Sequence, residues 1–229
     1  LMKTNKVAHI FFDLDHTLWD FERNSALAFT EIFKKNDLQI DITTFLKTYI
    51  PINNFYWSKY RNNLVTKADL RYGRLNDTFT ELAMQVSQEQ IHNLSEDYIT
   101  HLPNNNYLFD DAQHTLEKLQ QKYTLHVITN GFSEVQNLKL NNSKIDHYFR
   151  TITTSEEVGV KKPHPEIFEY ALKKANAHPE QSVMIGDNIE ADILGAEKFG
   201  MSSILFDGEN VNDYSGKKVN QLKQLLEIL

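Results

Sequence analysis

The sequence contains no cysteine among its 229 residues. This absence excludes disulfide bonds, thiolate metal sites and cysteine nucleophiles. The chain also lacks any apolar run that approaches the ~20 residues a helix needs to cross a bilayer, and residues 2–6 lack the long apolar stretch of a signal peptide. We therefore expect a cytoplasmic protein that makes no membrane contact.

Basic side chains are fewer than acidic ones: 24 Lys and Arg residues stand against 31 Asp and Glu residues, for a net charge of −7. Binding to a nucleic-acid polymer depends on Lys and Arg, so this balance argues against such a partner. A small phosphorylated substrate is compatible with it, because one metal ion and one lysine reverse the local field. The hydrophobic fraction of 41% suffices for one large core and a smaller second unit, and we expect a monomer or a small homo-oligomer.

Short apolar runs recur along the chain and alternate with helical patterns. The runs predicted to be buried strands are residues 7–12, 123–129, 151–154, 182–185 and 203–206. Apolar residues at helical spacing follow several of these runs, as at 167–175 and, near the C-terminus, from Val219 to Leu229. This alternation predicts an α/β fold, a Rossmann-like parallel sheet with helices on both faces.

The interval between residues 20 and 106 breaks the alternation, because it shows only helical patterns. Its apolar stripes are Ala28, Phe29, Ile32 and Phe33; Leu75, Phe79, Leu82, Ala83 and Val86; and Ile91, Leu94, Tyr98 and Leu102. The pattern predicts an all-helical cap domain, residues 20–106, inserted after the first strand of a core domain formed by residues 1–19 and 107–229. Residues 103–106 are the predicted hinge back to the core.

Acidic residues follow the first predicted strand. Asp13, Asp15 and Thr17 point to the same side of an extended chain, at the strand end where open α/β sheets form their ligand crevice. Two carboxylates this close persist when a cation lies between them or when one is protonated, and Mg²⁺ prefers oxygen ligands of this kind. An Asp-x-Asp pair is also a common turn or helix-start signal, which is the alternative interpretation.

Polar residues follow later strands in the same way. Thr129 and Asn130 supply donors for an anion, Lys162 supplies a positive charge for a phosphate, and Asp187 and Asp192 follow the fourth strand, where Asp187 would complete a metal site. Each motif has an ordinary explanation: an Asn-Gly turn, a solvated lysine and a helix cap. Their occurrence in order, each at a predicted strand end, favours one shared site.

Together these motifs resemble those of the haloacid dehalogenase (HAD) superfamily of phosphohydrolases, over essentially the whole chain. Residues 13–17 are similar to the first family motif, 129–131 to the second, Lys162 and Pro163 to the third, and 186–192 to the fourth. The resemblance implies a helical cap, a Mg²⁺ cofactor and an aspartyl-phosphate intermediate.

The resemblance also implies a role for each motif residue. Asp13 would be the nucleophile and a metal ligand, and Asp15 the general acid and base, which also offers its backbone carbonyl to the metal. Thr129, Asn130 and Lys162 would bind the phosphoryl group. Asp187 would complete the metal site, while Thr17 and Asp192 would support the metal-binding groups.

Retention of Asp15 favours a phosphatase over a dehalogenase, because a halide leaving group needs no general acid. The motif loops and the stretch around Trp57 and 68–75 resemble the pyrimidine 5′-nucleotidase subgroup, so a nucleoside monophosphate is the expected substrate, with Trp57 and Arg74 as candidate contacts. Packing within the cap is the alternative role for these side chains. The alternative functions are a sugar-phosphate or phosphoglycolate-type phosphatase, a β-phosphoglucomutase-like phosphomutase, and a non-catalytic regulatory HAD protein.

Overall fold

The computed structural model describes residues 6–229, so the first five residues of the predicted core segment 1–19 lie outside it. The chain forms two compact units. The α/β unit comprises the chain up to Phe21 and from Asn106 to Leu229, and the helical unit comprises Glu22–Asn105. None of the described helices combines the length and the hydropathy needed to cross a bilayer.

The α/β unit alternates strands with helices or helical turns. Its strands are β1 His9–Phe12, β2 Thr124–Thr129, β3 Phe149–Thr154, β4 Ser182–Gly186, β5 Ser202–Phe206 and β6 Lys218–Val219. Its helices are α5 Ala112–Leu119, α6 Ser133–Asn142, α7 Ser155–Val158, α8 Pro165–Ala175, a π-helical turn at Ile189–Leu194, α9 Gly195–Lys198 and α10 Leu225–Ile228.

The described strands form one parallel sheet in the order β3-β2-β1-β4-β5-β6. The predicted strands all occur, with ends that differ by at most two residues. The predicted C-terminal helix begins too early, because Val219 lies in β6 and its carbonyl accepts a hydrogen bond from Asp207 N at 2.8 Å. Pairing with the edge of the sheet therefore overrides the helical spacing of the apolar residues.

Apolar side chains pack against the sheet and bury it. One buried cluster joins Phe11 of β1 and Met184 of β4 to the α8 stripe, in which Ile167, Phe168 and Ala171 are fully buried. Each fully buried Ile, Phe or Met side chain contributes about 1.5–3 kcal/mol through removal from water. This packing holds β1, β2 and β4 side by side, with their carboxyl ends at one edge.

The helical unit contains α1 Phe21–Lys35, whose first residue belongs to the α/β unit, α2 Ile42–Arg61, α3 Lys67–Glu81 and α4 Gln88–His101. The apolar stripes predicted α1, α3 and α4, but Leu82, Ala83 and Val86 of the second stripe lie beyond the end of α3 at Glu81. The stripes did not predict α2, which has Pro51 in its interior. The fold class is therefore as predicted: a parallel α/β sheet with an all-helical insertion after the first strand.

The helices of the insertion begin at side-chain caps and enclose an aromatic core. Asp41, Thr66 and Ser87 each accept a hydrogen bond from a backbone N–H in the first turn of the following helix, a contact worth about 0.5–2 kcal/mol. The rings packed in the core are Phe29, Phe33, Phe45, Tyr49, Phe79 and Tyr98. Together, the caps and the ring packing account for a helical unit with its own core.

Candidate active site

The ends of three neighbouring strands carry the polar motifs to one place. Phe12 of β1 is aligned with Val127 of β2 and Ile185 of β4. Asp13, the next residue, donates its backbone N–H to the Ile185 carbonyl at 2.9 Å. Because the strands are parallel, the residues that follow each strand lie at the same edge of the sheet.

A group of carboxylates lies at this edge. Asp13, Asp187 and Asp192 each offer an oxygen atom, and these atoms lie within 4.8 Å of one another. Asp13 and Asp192 are buried and Asp187 is partly buried. Carboxylates at this spacing suit a hard divalent cation such as Mg²⁺, which takes oxygen ligands.

Burial and the repulsion of neighbouring carboxylates make Asp13 and Asp187 hard to ionise. Desolvation raises the pKa of Asp13 well above its usual value, against the attraction of Lys162, and Asp192 and Asp187 raise it further. Desolvation, followed by the charge of Asp192, raises the pKa of Asp187 to about 7. A bound cation would offset both effects. Thr17 Oγ1 donates to Asp187 Oδ1 at 3.2 Å.

Lys162 is the buried cation of the group, with a side chain only 2% exposed. Its Nζ donates to Asp13 Oδ1 and to the Ile128 carbonyl, both at 2.7 Å, and lies 2.7 Å from Asp192 Oδ1. Desolvation alone would lower the pKa of Lys162, but the charges of Asp13 and Asp192 outweigh it, so the pKa rises and the ammonium stays charged.

The turn after β4 places Asp192 in the group. Asn188 begins the π-helical turn by accepting a hydrogen bond from Ala191 N at 2.8 Å, and Asn188 N donates to Asp192 Oδ2 at 3.0 Å. Gly186 is required here, because a Cβ atom at that position would lie 2.3 Å from Asp192 Oδ2 and 2.6 Å from its Cβ. The Gly-Asp-Asn sequence therefore allows the end of β4 to pack against the Asp192 side chain.

The Asn130 side chain forms hydrogen bonds with the backbone of Lys162. Its Nδ2 donates to the Lys162 carbonyl at 3.0 Å, and its Oδ1 accepts from Lys162 N at 2.8 Å. This pair of hydrogen bonds joins the loop that carries Lys162 to the end of β2. Both polar atoms of the Asn130 amide are therefore engaged with the Lys162 backbone, and the phosphate contact of Asn130 stays a prediction.

Asp15 faces a different set of partners from the other acids. Its Oδ1 accepts from Lys139 Nζ at 2.5 Å, and its Oδ2 accepts from Gln136 Nε2 at 3.0 Å. Gln136 Nε2 also lies 2.7 Å from Thr129 Oγ1, which links the two predicted site residues Asp15 and Thr129. The sequence analysis did not predict Gln136 and Lys139 as site residues. Their only sequence signal is a spacing of one helical turn just after the Asn130-Gly131 motif.

The two predicted substrate contacts of the insertion lie within the helical unit. Arg74 is only 2% exposed, donates from Nη1 to Asn53 Oδ1 at 3.0 Å and stacks 5.0 Å above the Tyr98 ring. Its guanidinium is thus part of the aromatic core of that unit. Trp57 is partly buried and packs edge-on against Tyr60, with ring centroids 5.7 Å apart.

The order of the motifs along the sheet agrees with a known family. A family model described as haloacid dehalogenase-like hydrolase matches residues 7–200. The chain belongs to this family. The match spans the strands β1 to β4 and the helical insertion, so every motif that carries the resemblance lies within it.

Three known proteins are similar over nearly the whole chain. Pyrimidine 5′-nucleotidase YjjG from Escherichia coli is 30% identical, covering 95% of this chain and 96% of that protein. A glyceraldehyde 3-phosphate phosphatase from Pyrococcus furiosus is 30% identical, covering 98% of this chain and 93% of that protein. The magnesium-bound crystal structure of HAD-hydrolase YfnB from Bacillus subtilis has a TM-score of 0.89 at 25% identity, covering 98% and 99% of the two chains.

These likenesses confirm the enzyme class that the motifs predicted. The chain is a HAD-type phosphohydrolase, a phosphoric monoester hydrolase. The relatives with named activities differ in the phosphate ester that their names give, so the class is common to them and the substrate is not.

Proposed function

We propose that this protein is a Mg²⁺-dependent phosphomonoesterase that works through an aspartyl-phosphate on Asp13. The observation that carries the proposal is the buried group of Asp13, Asp187 and Asp192 with Lys162 in contact with two of them. Phosphoryl transfer requires mainly positioning and charge stabilisation, and this group offers a nucleophile, a cation and a metal site together.

The first step forms a bond from Asp13 to phosphorus. Lys162 holds Oδ1, so we assign Oδ2 as the attacking atom, and the ester P–O bond breaks as the new bond forms. The Lys162 ammonium stabilises the charge on the phosphoryl oxygens. Thr129 Oγ1 accepts hydrogen bonds from Gln136 Nε2 and Gly131 N, so its own hydrogen remains for a phosphoryl oxygen.

Asp15 donates a proton in the first step and accepts one in the second. In the first step its carboxyl group protonates the departing ester oxygen. In the second step it takes a proton from water as the water oxygen attacks phosphorus, which releases phosphate and restores the Asp13 carboxylate. Splitting the hydrolysis in this way uses one carboxyl group as acid and then as base.

The donor set fits a magnesium ion. The metal ligands that we propose are the carboxylates of Asp13 and Asp187 and the backbone carbonyl of Asp15, with Asp192 and Thr17 supporting them. When bound, the ion supplies positive charge that offsets the repulsion between the carboxylates and an anionic phosphate. The raised pKa values of Asp13 and Asp187 support this fit, because a cation favours their ionised forms.

The substrate class that we propose is the pyrimidine nucleoside 5′-monophosphates. The likeness to YjjG, named as a pyrimidine 5′-nucleotidase, supports it. The equal identity to a glyceraldehyde 3-phosphate phosphatase favours a small sugar phosphate as the second candidate. We also propose that the helical unit is the cap domain predicted for residues 20–106, with Trp57 as the more accessible candidate contact and Arg74 as a residue that orders the core of the cap.

A substrate panel tests the proposal. Phosphate release from UMP, dUMP, dTMP, AMP, ribose 5-phosphate and glyceraldehyde 3-phosphate is measured with Mg²⁺ and with EDTA. We expect release that EDTA abolishes and that is fastest with UMP, dUMP or dTMP. Fastest release from glyceraldehyde 3-phosphate would favour the second candidate, and equal release with EDTA would contradict the metal requirement.

A further inference from the structure

Asp15 is held by two side chains of one helix. Gln136 and Lys139 lie one turn apart on α6, and each donates to a different oxygen of the Asp15 carboxylate. We propose that this pair, the α6 clamp, positions Asp15 for proton transfer to the leaving group. This inference rests on the proposed function, in which Asp15 is the general acid and base.

Lys139 is a buried lysine whose ammonium lies next to two aromatic rings. Its side chain is 2% exposed, and its ammonium lies 4.1 Å from the centroid of the Trp19 ring and 5.1 Å from that of Phe21. Burying an ammonium costs several kcal/mol unless partners offset it. The Asp15 carboxylate and the aromatic faces are such partners, so the position of Lys139 is tied to that of Asp15.

Gln136 connects the clamp to the phosphate site. Its Nε2 lies 3.0 Å from Asp15 Oδ2 and 2.7 Å from Thr129 Oγ1. The approach depends on Gly131, because a Cβ there would lie 2.4 Å from the Gln136 amide. One amide group thus fixes the distance between the proton-transfer carboxyl group and the hydroxyl that we assign to the phosphoryl group.

The two contacts differ in strength, and the difference assigns roles to the two oxygens of Asp15. Both bonds end on a carboxylate oxygen, but the ammonium adds the attraction of a full positive charge, which the neutral amide lacks. Oδ1 therefore stays on Lys139, while Oδ2 exchanges its amide contact for the leaving-group oxygen and then for water. The Lys139 contact restricts rotation of the carboxyl group, which is the kind of positioning that proton transfer requires.

The test compares esters with different leaving groups. An alkoxide leaving group needs a proton from Asp15, whereas p-nitrophenolate leaves without one. Lys139→Met keeps an unbranched apolar side chain at this buried position and removes the ammonium that lies over Trp19. We expect this variant to lower kcat for UMP and ribose 5-phosphate by about 10- to 100-fold, a part of the ~10²–10⁴-fold that general acid catalysis supplies, and to lower kcat for p-nitrophenyl phosphate less than about threefold.

A double-mutant cycle identifies the group through which Lys139 acts. If Lys139 works through Asp15, adding Lys139→Met to Asp15→Asn lowers kcat for UMP no further than Asp15→Asn alone. Additive losses in the double variant, or equal losses for alkyl and aryl esters in the single variant, would overturn the clamp. Lys118→Met, which changes an exposed lysine of the same unit, is the matched control and should behave as wild type with every ester.

A second variant tests the clamp even if Lys139→Met does not fold. Gln136→Met removes the amide at similar volume, and we expect a larger loss on alkyl esters than on p-nitrophenyl phosphate. The part of the loss that both kinds of ester share reports the contact to Thr129. The wild-type rates separate the two proposals: a wild-type enzyme that hydrolyses no ester overturns the proposed function and the clamp with it. A wild-type enzyme that is active, with variants that lose alkyl and aryl hydrolysis equally, overturns the clamp alone.

Discussion

Folding disfavours the ionised form of the Asp13 carboxylate. It is 8% exposed, and desolvation raises its pKa against the attraction of Lys162. A buried group of this kind is retained for function more readily than for stability, since an uncharged residue of the same shape would remove the cost of desolvation. A substitution at Asp13 should therefore affect activity far more than folding.

Replacing Asp13 with Asn should abolish turnover and leave the fold intact. The amide has the shape of the carboxylate but is a poor nucleophile, so we expect kcat to fall by ~10⁴-fold or more, as when other hydrolases lose their nucleophile. The midpoint of thermal unfolding without metal should change little, because relief of carboxylate desolvation and repulsion offsets the loss of one of the two ion pairs of Lys162, which keeps Asp192. The control is Asp146→Asn, at an exposed position of the same unit. Substantial phosphate release by the Asp13→Asn variant would contradict the nucleophile assignment.

The end of β4 and the π-helical turn after it act together. Gly186 ends the strand, and its missing side chain leaves the space that the Asp192 carboxyl group occupies. The turn begins at Asn188, which donates its backbone N–H to the same carboxyl group. The position of Asp192 beside Lys162 is thus a consequence of backbone packing between two elements.

Substituting Ala for Gly186 should weaken metal binding. The added Cβ would lie 2.6 Å from the Asp192 Cβ, so the carboxyl group must move away from Lys162. Loss of a group that supports metal ligands typically costs about 10- to 100-fold in metal affinity, and we expect that range for Mg²⁺ by titration calorimetry. Gly208→Ala is the matched control, because its nearest heavy atom would lie at 3.3 Å. Unchanged Mg²⁺ affinity in Gly186→Ala would contradict the coupling.

The stability of the whole protein should depend on pH and Mg²⁺ together. Asp187 has a pKa raised from its usual 3.8 to about 7, so between these values the folded state holds a proton that the unfolded state has lost. The stability from this group is fully present below the lower value and is lost as the pH rises through about 7. A cation at the site offsets this loss where the carboxylates are ionised.

We expect Mg²⁺ to raise the midpoint of thermal unfolding more at pH 8 than at pH 5.5. At 100 times its dissociation constant a ligand adds about 2.7 kcal/mol, or roughly 5–10 °C for a protein of this size. The increment should shrink at pH 5.5, where protons compete for Asp187. Calorimetry at both pH values, with and without Mg²⁺, measures it.

The variant Asp187→Asn is the control for this linkage. It should unfold at a higher temperature than wild type at pH 8 without metal, because the ionised carboxylate is gone, and it should gain little from added Mg²⁺. An equal Mg²⁺ increment at both pH values, or an undiminished increment in Asp187→Asn, would contradict a metal site at these carboxylates.

The sequence alone was enough to predict the strands, the insertion and the motif acids. Buried strands are short apolar runs, and the motifs at Asp13, Thr129 and Asp187 lie at or just after the ends of such strands, so the parallel topology brings them together. Lys162 was also expected at a strand end, but it follows α7, and Asn130 joins its loop to the end of β2. The enzyme class followed from the resemblance of these motifs to those of the HAD superfamily, and the family match confirms it.

The tertiary structure alone decided which side chains meet across elements. Lys139 reads in sequence as an ordinary helix lysine, and only the packing of α6 against Trp19 buries it on Asp15. Arg74 was a candidate substrate contact in the sequence, yet in the structure its side chain points into an aromatic core. Helical periodicity tells which residues share a face, but long side chains find their partners through contacts distant in sequence, and no local pattern encodes those distances.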